Sequence, residues 1–363
     1  MKDARRVVVK IGTGVLTRDV GKLDLERMAG LCAQVARLKK AGKQIVIVSS
    51  GAVGLGMGKL NLKTRPKQIS TVQKCAAVGQ GILIDTWSKL FEPYSITIAQ
   101  LLITKDDVDL PHRHRALVEL LNELLKDGIV PIINENDSIS ASELNIKFGD
   151  NDVLSSLVAT LVKADTLVIL STASGLLDLT GSGEMLKRVE KIDAKIRAMA
   201  SGTTSATAVG GMITKLKAAD IATRYGCGVY IASGDRENVL DEIFAGQNPG
   251  TYFVPAKKLA SSKKRWLAYF GKTSGKLFVD SGAADAIRNK GSSLLLAGVK
   301  SFEGKFKAGD HVEIASAENP KELVARGLAY ISSDEMASLI GKTCDDSDKK
   351  KHIAVHRDNL AMR

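Results

Sequence analysis

From Arg6 to Ala232, continuous apolar runs of strand length alternate with longer stretches whose apolar positions recur at helical spacing. The strand-like runs are Arg6–Ile11, Lys43–Val48, Ser95–Leu102, Ile129–Ile133, Thr166–Leu170 and Val229–Ala232. Helical spacing marks Leu25–Ala41, closed by Gly42, and Met212–Tyr225. It also marks Val153–Val162, where apolar pairs stand at Val153/Leu154, Leu157/Val158 and Leu161/Val162. Unbroken apolar strands separated by helices predict a three-layer α/β sandwich with a mainly parallel sheet. Ligands of such sheets sit beyond the carboxyl ends of the strands. Several of these strands run into Gly, Ser, Asn or Asp, so the chemistry is expected along that edge.

Past residue 256 the texture changes to short, glycine-separated strand signals: KLFVD, SSLLLAGV, HVEIA and LVARGLAYI. These predict a small C-terminal β-barrel, interrupted by the polar loop CDDSDKKKH. The expected division is an α/β domain over 1–256, a linker over 257–265 and a β-rich domain over 266–363. A chain of 363 residues is long enough for two cores.

Charge sharpens that division. The net charge is +12, and five basic residues (Lys257, Lys258, Lys263, Lys264 and Arg265) fall in the linker with no acidic residue among them. Residues 266–363 hold 15 basic against 13 acidic side chains, and aromatics make up 4% of the chain. A nucleic-acid surface built on basic charge and base stacking is therefore not favoured for the tail. The four cysteines, Cys32, Cys75, Cys227 and Cys344, form no CxxC pair, and the five histidines are scattered. Neither a disulfide framework nor a structural metal site is expected. His112 and His114 read as part of a solvated loop. The N-terminus MKDARRVVVKIG lacks a signal-type apolar core, and no apolar run approaches the roughly 20 residues of a membrane span. A cytoplasmic protein without a membrane partner is the expectation.

Five segments carry candidate chemistry. Lys10 precedes Gly12-Thr13-Gly14 at the end of the first strand, where backbone N–H groups and an ammonium can meet a phosphate. There is no Walker A motif; the nearest lookalike, Gly271-Lys272-Thr273, lacks the upstream glycine and reads as a turn. Ser49-Ser50-Gly51-Ala52 follows the second strand and reads either as an anion-binding helix start or as an ordinary serine cap. Asn134-Glu135-Asn136-Asp137 extends the fourth strand with polar groups suited to a ligand bearing both ammonium and carboxylate. Gly149-Asp150-Asn151-Asp152 opens a helix, where the acids can cap it, orient lysines, contact substrate or help hold Mg²⁺. Gly210-Gly211-Met212-Ile213-Thr214-Lys215 again joins glycines, a helix N-terminus and a lysine. Together the segments place two lysines and several polar clusters on one sheet edge, as phosphoryl transfer requires.

The motifs VVVKIGTGVL, VSSGAVGLG, AAVGQ, QLLIT, VPIINEND, FGDND and GGMITKLKAAD resemble, in order and spacing, those of the glutamate 5-kinases of the amino acid kinase superfamily. VDSGAADAI, KGSSLL, GVKSFEGKFKAGD and ARGLAYISSDEM resemble the PUA domain that follows the kinase in many bacterial members. The resemblance implies transfer of the γ-phosphoryl group of ATP, with Mg²⁺, to the side-chain carboxylate of L-glutamate. It implies that Lys10 and Lys215 bind the transferring group and that Asp152 holds them. Ser50, Asp137 and Asn151 would bind glutamate, with Asp150 assisting. Gly12, Gly51 and Gly211 would present backbone N–H groups. The nucleotide would lie against Lys10, Gly12, Ser171, Thr172 and the run Val209, Gly210, Gly211, Met212, Ile213, Thr214 and Lys215. A homo-oligomer, feedback inhibition by proline and a separate reductase acting on the product are further implications. RNA binding by the PUA-like domain is a known use of that fold, not favoured here. Two positions depart from the family pattern. Ser171-Thr172 stands where Thr-Asp is usual, and Ala208-Val209 where Gly-Thr is usual. Both fall on the nucleotide side. They keep open an altered nucleotide preference, or a kinase fold that serves as a binding or regulatory protein. A related kinase acting on acetylglutamate, aspartate or UMP is a further alternative.

Overall fold

The computed structural model describes residues 3–139, 151–179, 181–200, 211–256, 273–340 and 353–362. The chain divides into two compact units, Met1–Lys105 with Arg115–Leu259, and Asp106–His114 with Ala260–Arg363. The expected linker, 257–265, lies outside the described residues.

The first unit is built on an eight-stranded sheet. Its strands in chain order are β1 (Arg6–Ile11), β2 (Gln44–Ser49), β3 (Ile98–Ile103), β4 (Val130–Glu135), β5 (Thr166–Ser171), β6 (Arg188–Val189), β7 (Gly228–Ser233) and β8 (Thr251–Phe253). The spatial order is β3-β4-β2-β1-β5-β7-β8-β6. All neighbours run parallel except β7 and β8. The central strands are buried almost throughout because helices cover both faces, which explains the unbroken Val/Ile/Leu runs.

The helices that matter for the site are α1 (Leu25–Lys40), α2 (Ala52–Lys59), α3 (Ile69–Phe91), α4 (Pro111–Lys126), α5 (Asn151–Leu161), α6 (Ala194–Met199), α7 (Met212–Arg224) and α8 (Val239–Ala245). Strand alternation sorts the two faces. Val7, Val9 and Ile11 share one core with Met28, Leu31 and Val35 of α1, Leu83, Trp87 and Phe91 of α3, and Leu240 and Ile243 of α8. Val8 and Lys10 point the other way, where α5 packs on β1 and α7 packs on β7.

The elements read from periodicity recur within a few residues of their expected limits. The third strand starts at Ile98 rather than Ser95, because Ser95 takes a left-handed backbone (φ 52°) after a 3₁₀ turn. Two regions were misread or missed. His112 and His114 lie in α4 and not in a loop, since Pro111 starts the helix and Leu117, Leu121 and Leu124 supply its apolar spacing. No periodic signal marked α3, whose glycines lower its helix propensity. It forms through close packing: a Cβ at Gly79 would sit 1.8 Å from the Ala52 carbonyl oxygen, and one at Gly56 would sit 1.8 Å from that of Cys75.

The second unit carries a five-stranded sheet, with Thr273–Val279 between Val299–Gly304 and His311–Ser316, then Leu323–Leu328 and Leu360–Met362. Leu294–Leu295 pairs separately with Ile353–Val355. Leu277, Val279, Ile287, Val312, Ile314, Val324, Met336 and Val355 belong to its own core.

Candidate active site

Three elements meet at the carboxyl edge of the sheet. Lys10 is the fifth residue of β1, Asp152 lies in the first turn of α5, and Lys215 lies in the first turn of α7. The Lys10 Nζ stands 2.6 Å from Asp152 Oδ1, and the Lys215 Nζ stands 3.1 Å from Oδ2. The Thr214 hydroxyl donates to the same Oδ2 at 2.9 Å. The side chains are 5%, 0% and 8% exposed for Lys10, Asp152 and Lys215. Burial opposes the charge on Asp152, yet the two ammonium groups hold its carboxyl below the usual carboxylate range. Two buried ammonium groups thus flank one buried carboxylate, placed where they can meet an incoming anion.

The second cluster lies beside β2 and β4. Gly51 takes a left-handed backbone (φ 110°) and stands at the N-cap of α2 without a side-chain cap. Ser50 is therefore not the cap of that helix. Its Oγ instead accepts from Asn151 Nδ2 at 2.8 Å. The same Nδ2 donates to Asn134 Oδ1 at 3.0 Å, and Asn134 Nδ2 donates to Gln80 Oε1 at 2.9 Å. Ser49 Oγ accepts from the buried Trp87 indole at 3.0 Å. Beside this network lies a small recess lined by Ala52, Ala76, Gln80, Leu102, Glu135, Asn136, Asp137 and Ser138. Its free volume of about 10 Å³ admits no more than a water.

A third feature lies beyond β5. Thr172, Ala173, Ser174, Gly175, Leu176, Leu177, Met199 and Met212 line a cleft of about 220 Å³. Its walls are short hydroxyls, backbone and the apolar Leu and Met side chains, which suits a flat, weakly polar group.

The structure thus brings Lys10, Asp152, Thr214 and Lys215 together, and Ser50 together with Asn151. Asp137 sits on the recess, and Thr172 and Met212 on the cleft. Ser171 is buried, and its Oγ accepts from the Ala173 N–H at 3.1 Å. Ile213 is 61% exposed and joins none of the three clusters. The Gly12 N–H donates to the Leu170 carbonyl at 3.0 Å, so that amide closes the sheet and is not presented to a phosphate. Gly211 is the N-cap of α7, at the start of a 13-residue helix. Asp150, Val209 and Gly210 lie outside the described residues. Sequence reasoning passed over Gln80 as a site residue, although it lies in a quoted motif, and named Asn134 only as one of a polar cluster. It also passed over Ala173–Leu177, flagged only by small polar residues directly after a buried strand.

A parallel sheet whose carboxyl edge holds a lysine–carboxylate–lysine cluster between a polar recess and an apolar-walled cleft defines an amino acid kinase, and residues 5–233 match the model of the amino acid kinase family. Residues 275–350 match the PUA domain. The chain is 42% identical to glutamate 5-kinase of Thermoanaerobacter sp. (strain X514), over 98% of this chain and 97% of that protein. It is 40% identical to glutamate 5-kinase of Aliivibrio salmonicida over 99% of both, and 39% identical to that of Desulfitobacterium hafniense over 100% and 99%. The chain belongs to this glutamate 5-kinase family. Among solved structures, carbamate kinase from Giardia lamblia bound to AMP-PNP covers 70% of this chain and all of that one. The TM-score is 0.51 at 17% identity, a likeness of fold alone.

Proposed function

We infer that the chain is a glutamate 5-kinase, which transfers the γ-phosphoryl group of ATP to the side-chain carboxylate of L-glutamate, the first step of proline biosynthesis. The buried Lys10–Asp152–Lys215 cluster carries the reading of how it does so. A glutamate carboxylate oxygen attacks the γ-phosphorus, the bond to the β–γ bridging oxygen breaks, and ADP leaves with that bond's electron pair. No proton needs to move. The chemistry calls for alignment of two anions and for positive charge where the transferring group gathers negative charge. Lys10 and Lys215 supply that charge at fixed separation, because each is tethered to one oxygen of a carboxylate that cannot reach water. Thr214 helps fix that carboxylate in turn.

Ser50, Asn151 and Asp137 hold glutamate in this proposal, with Asp150 beside them in sequence. The nucleotide base lies in the cleft beyond β5, against Thr172 and Met212, and the N-terminus of α7 faces its phosphates with Gly211. Asp152 is occupied by both lysines and Thr214, so it does not fit as a metal ligand. Among the described residues, no group of three or more His, Cys, Asp or Glu side chains is placed to hold a metal. In this proposal Mg²⁺ comes with the substrate, MgATP, carried on its phosphates. The product is a reactive acyl phosphate, which calls for a separate reductase. Among the described residues no helix is long and apolar enough to cross a membrane. A cytoplasmic setting, a homo-oligomer and inhibition by proline complete the proposal on the resemblance alone. So does the division into a kinase domain to residue 256 and a PUA domain from 266.

The test mixes purified protein with L-glutamate, MgATP and hydroxylamine and measures γ-glutamyl hydroxamate, with Lys10→Ala as control. Glutamate-dependent product that vanishes in the variant is expected. No product with ATP or GTP would overturn the catalytic reading and turn attention to Thr172, where the family pattern has a carboxylate.

A further inference from the structure

Resting on the reading that Ser50, Asn151 and Asp137 hold glutamate, we propose that Gln80 is a positioning residue for the acceptor substrate: it sets the orientation of Asn134, and through it that of Asn151. The Glu135 N–H donates to Asn134 Oδ1 at 2.9 Å, and a backbone N–H has no alternative role. That bond fixes which end of the Asn134 amide is the oxygen. Its Nδ2 then faces Gln80, whose Oε1 is the acceptor. The same Oδ1 receives Asn151 Nδ2, which also reaches Ser50 Oγ. A directional chain therefore runs from α3 through β4 and α5 to the loop after β2. The Glu135 amide sets donor and acceptor roles outward from Asn134 in both directions.

Gln80 is well placed to anchor that chain. It is 8% exposed, and Asn134 is 3% exposed, so neither amide can trade this bond freely for water. Its neighbour Gly79 lies so close to the Ala52 carbonyl that any Cβ would collide with it. Seven residues further along α3, on the same helical face, Trp87 donates to Ser49. The helix backbone at residue 80 is thereby held to the segment that carries Ser50. Gln80 also lines the recess directly.

The experiment uses the full chain and measures the KM for glutamate and for MgATP with Gln80→Met, which keeps length and removes the amide, and with Gln80→Leu as a second variant. The glutamate KM is expected to rise about tenfold, the scale of one lost hydrogen bond to a buried partner. The MgATP KM and kcat should change less than about twofold. In the double variant with Asn151→Ala, Gln80→Met should add little, because the group it orients is gone. Unchanged glutamate KM, equal shifts in both KM values, additive effects with Asn151→Ala, or unfolding of both single variants would each overturn the proposal. Failure of the kinase reading itself shows separately, as absence of glutamate-dependent product in the unsubstituted chain.

Discussion

The two sides of the lysine cluster solve recognition in different ways. The side proposed for the acceptor is polar and cross-braced: Gln80, Asn134, Asn151 and Ser50 form one hydrogen-bond chain across four segments. The side proposed for the nucleotide is a wider cleft walled by Leu176, Leu177, Met199, Met212 and short hydroxyls. A small ligand bearing two carboxylates and an ammonium needs fixed donors and acceptors, since each misplaced buried polar group is expensive. A base needs shape and apolar contact, which tolerate substitution. The departures at Ser171-Thr172 fall on the tolerant side, and the polar side is intact.

That contrast can be broken at its centre first. Asp152→Ala leaves two buried ammonium groups without their carboxylate, and loss of one partner from a buried ion cluster costs about 3–5 kcal/mol. A lower denaturation midpoint and a kcat reduced by at least about 10³-fold are expected; near-normal turnover would remove Asp152 from the mechanism. Next in size, Lys10→Ala and Lys215→Ala should each lower kcat by about 10²–10³-fold, with both KM values altered less. Steady-state hydroxamate rates decide this. Asn151→Ala should raise the glutamate KM about tenfold and spare the MgATP KM. Met199→Ala should do the reverse and more weakly, raising the MgATP KM a few-fold. Equal effects on both substrates from either change would show that the two sides are not separate.

The smallest effect on catalysis concerns the second unit. Burial, then the Arg326 guanidinium, push the His311 imidazole down to about 4, with Asp109 and then Asp310 opposing. In the unfolded chain the ring protonates near its ordinary 6.5, whereas the folded one resists. Stability is thus fully present above about 6.5 and is lost as pH falls towards 4, by at most about 3 kcal/mol. Melting curves between pH 7.5 and 4.5 should show this slope, and His311→Asn should flatten it. Asp152 loses its contribution in the same direction but over a lower window. Its folded value lies below the ordinary 3.8, so its contribution is constant above 3.8 and is lost only as pH falls below that.

How far the site could be read in advance depended on the local signal. Lys10, Asp152 and Lys215 were legible because each directly follows or precedes a glycine-marked element end. α3 was not legible, because Gly79 and Gly81 interrupt its periodicity and its stability comes from contact with α2. Gln80 went unread with it. Gly12 was placed at the right edge but given the wrong task, since only strand pairing shows that its N–H belongs to Leu170.

The sequence by itself determined the alternation that makes the parallel sheet, the strand ends that carry polar groups, and the family to which the motifs belong. These are local properties, written within a few residues of one another. Only the tertiary structure decided which polar groups meet. Ser50, Gln80, Asn134 and Asn151 come from four separate elements. Their bonds exist because strand order puts β2 between β1 and β4, and because glycine contacts let α3 approach α2 closely. Hydrogen-bond direction is a property of distances between atoms far apart in the chain, and no local pattern encodes it.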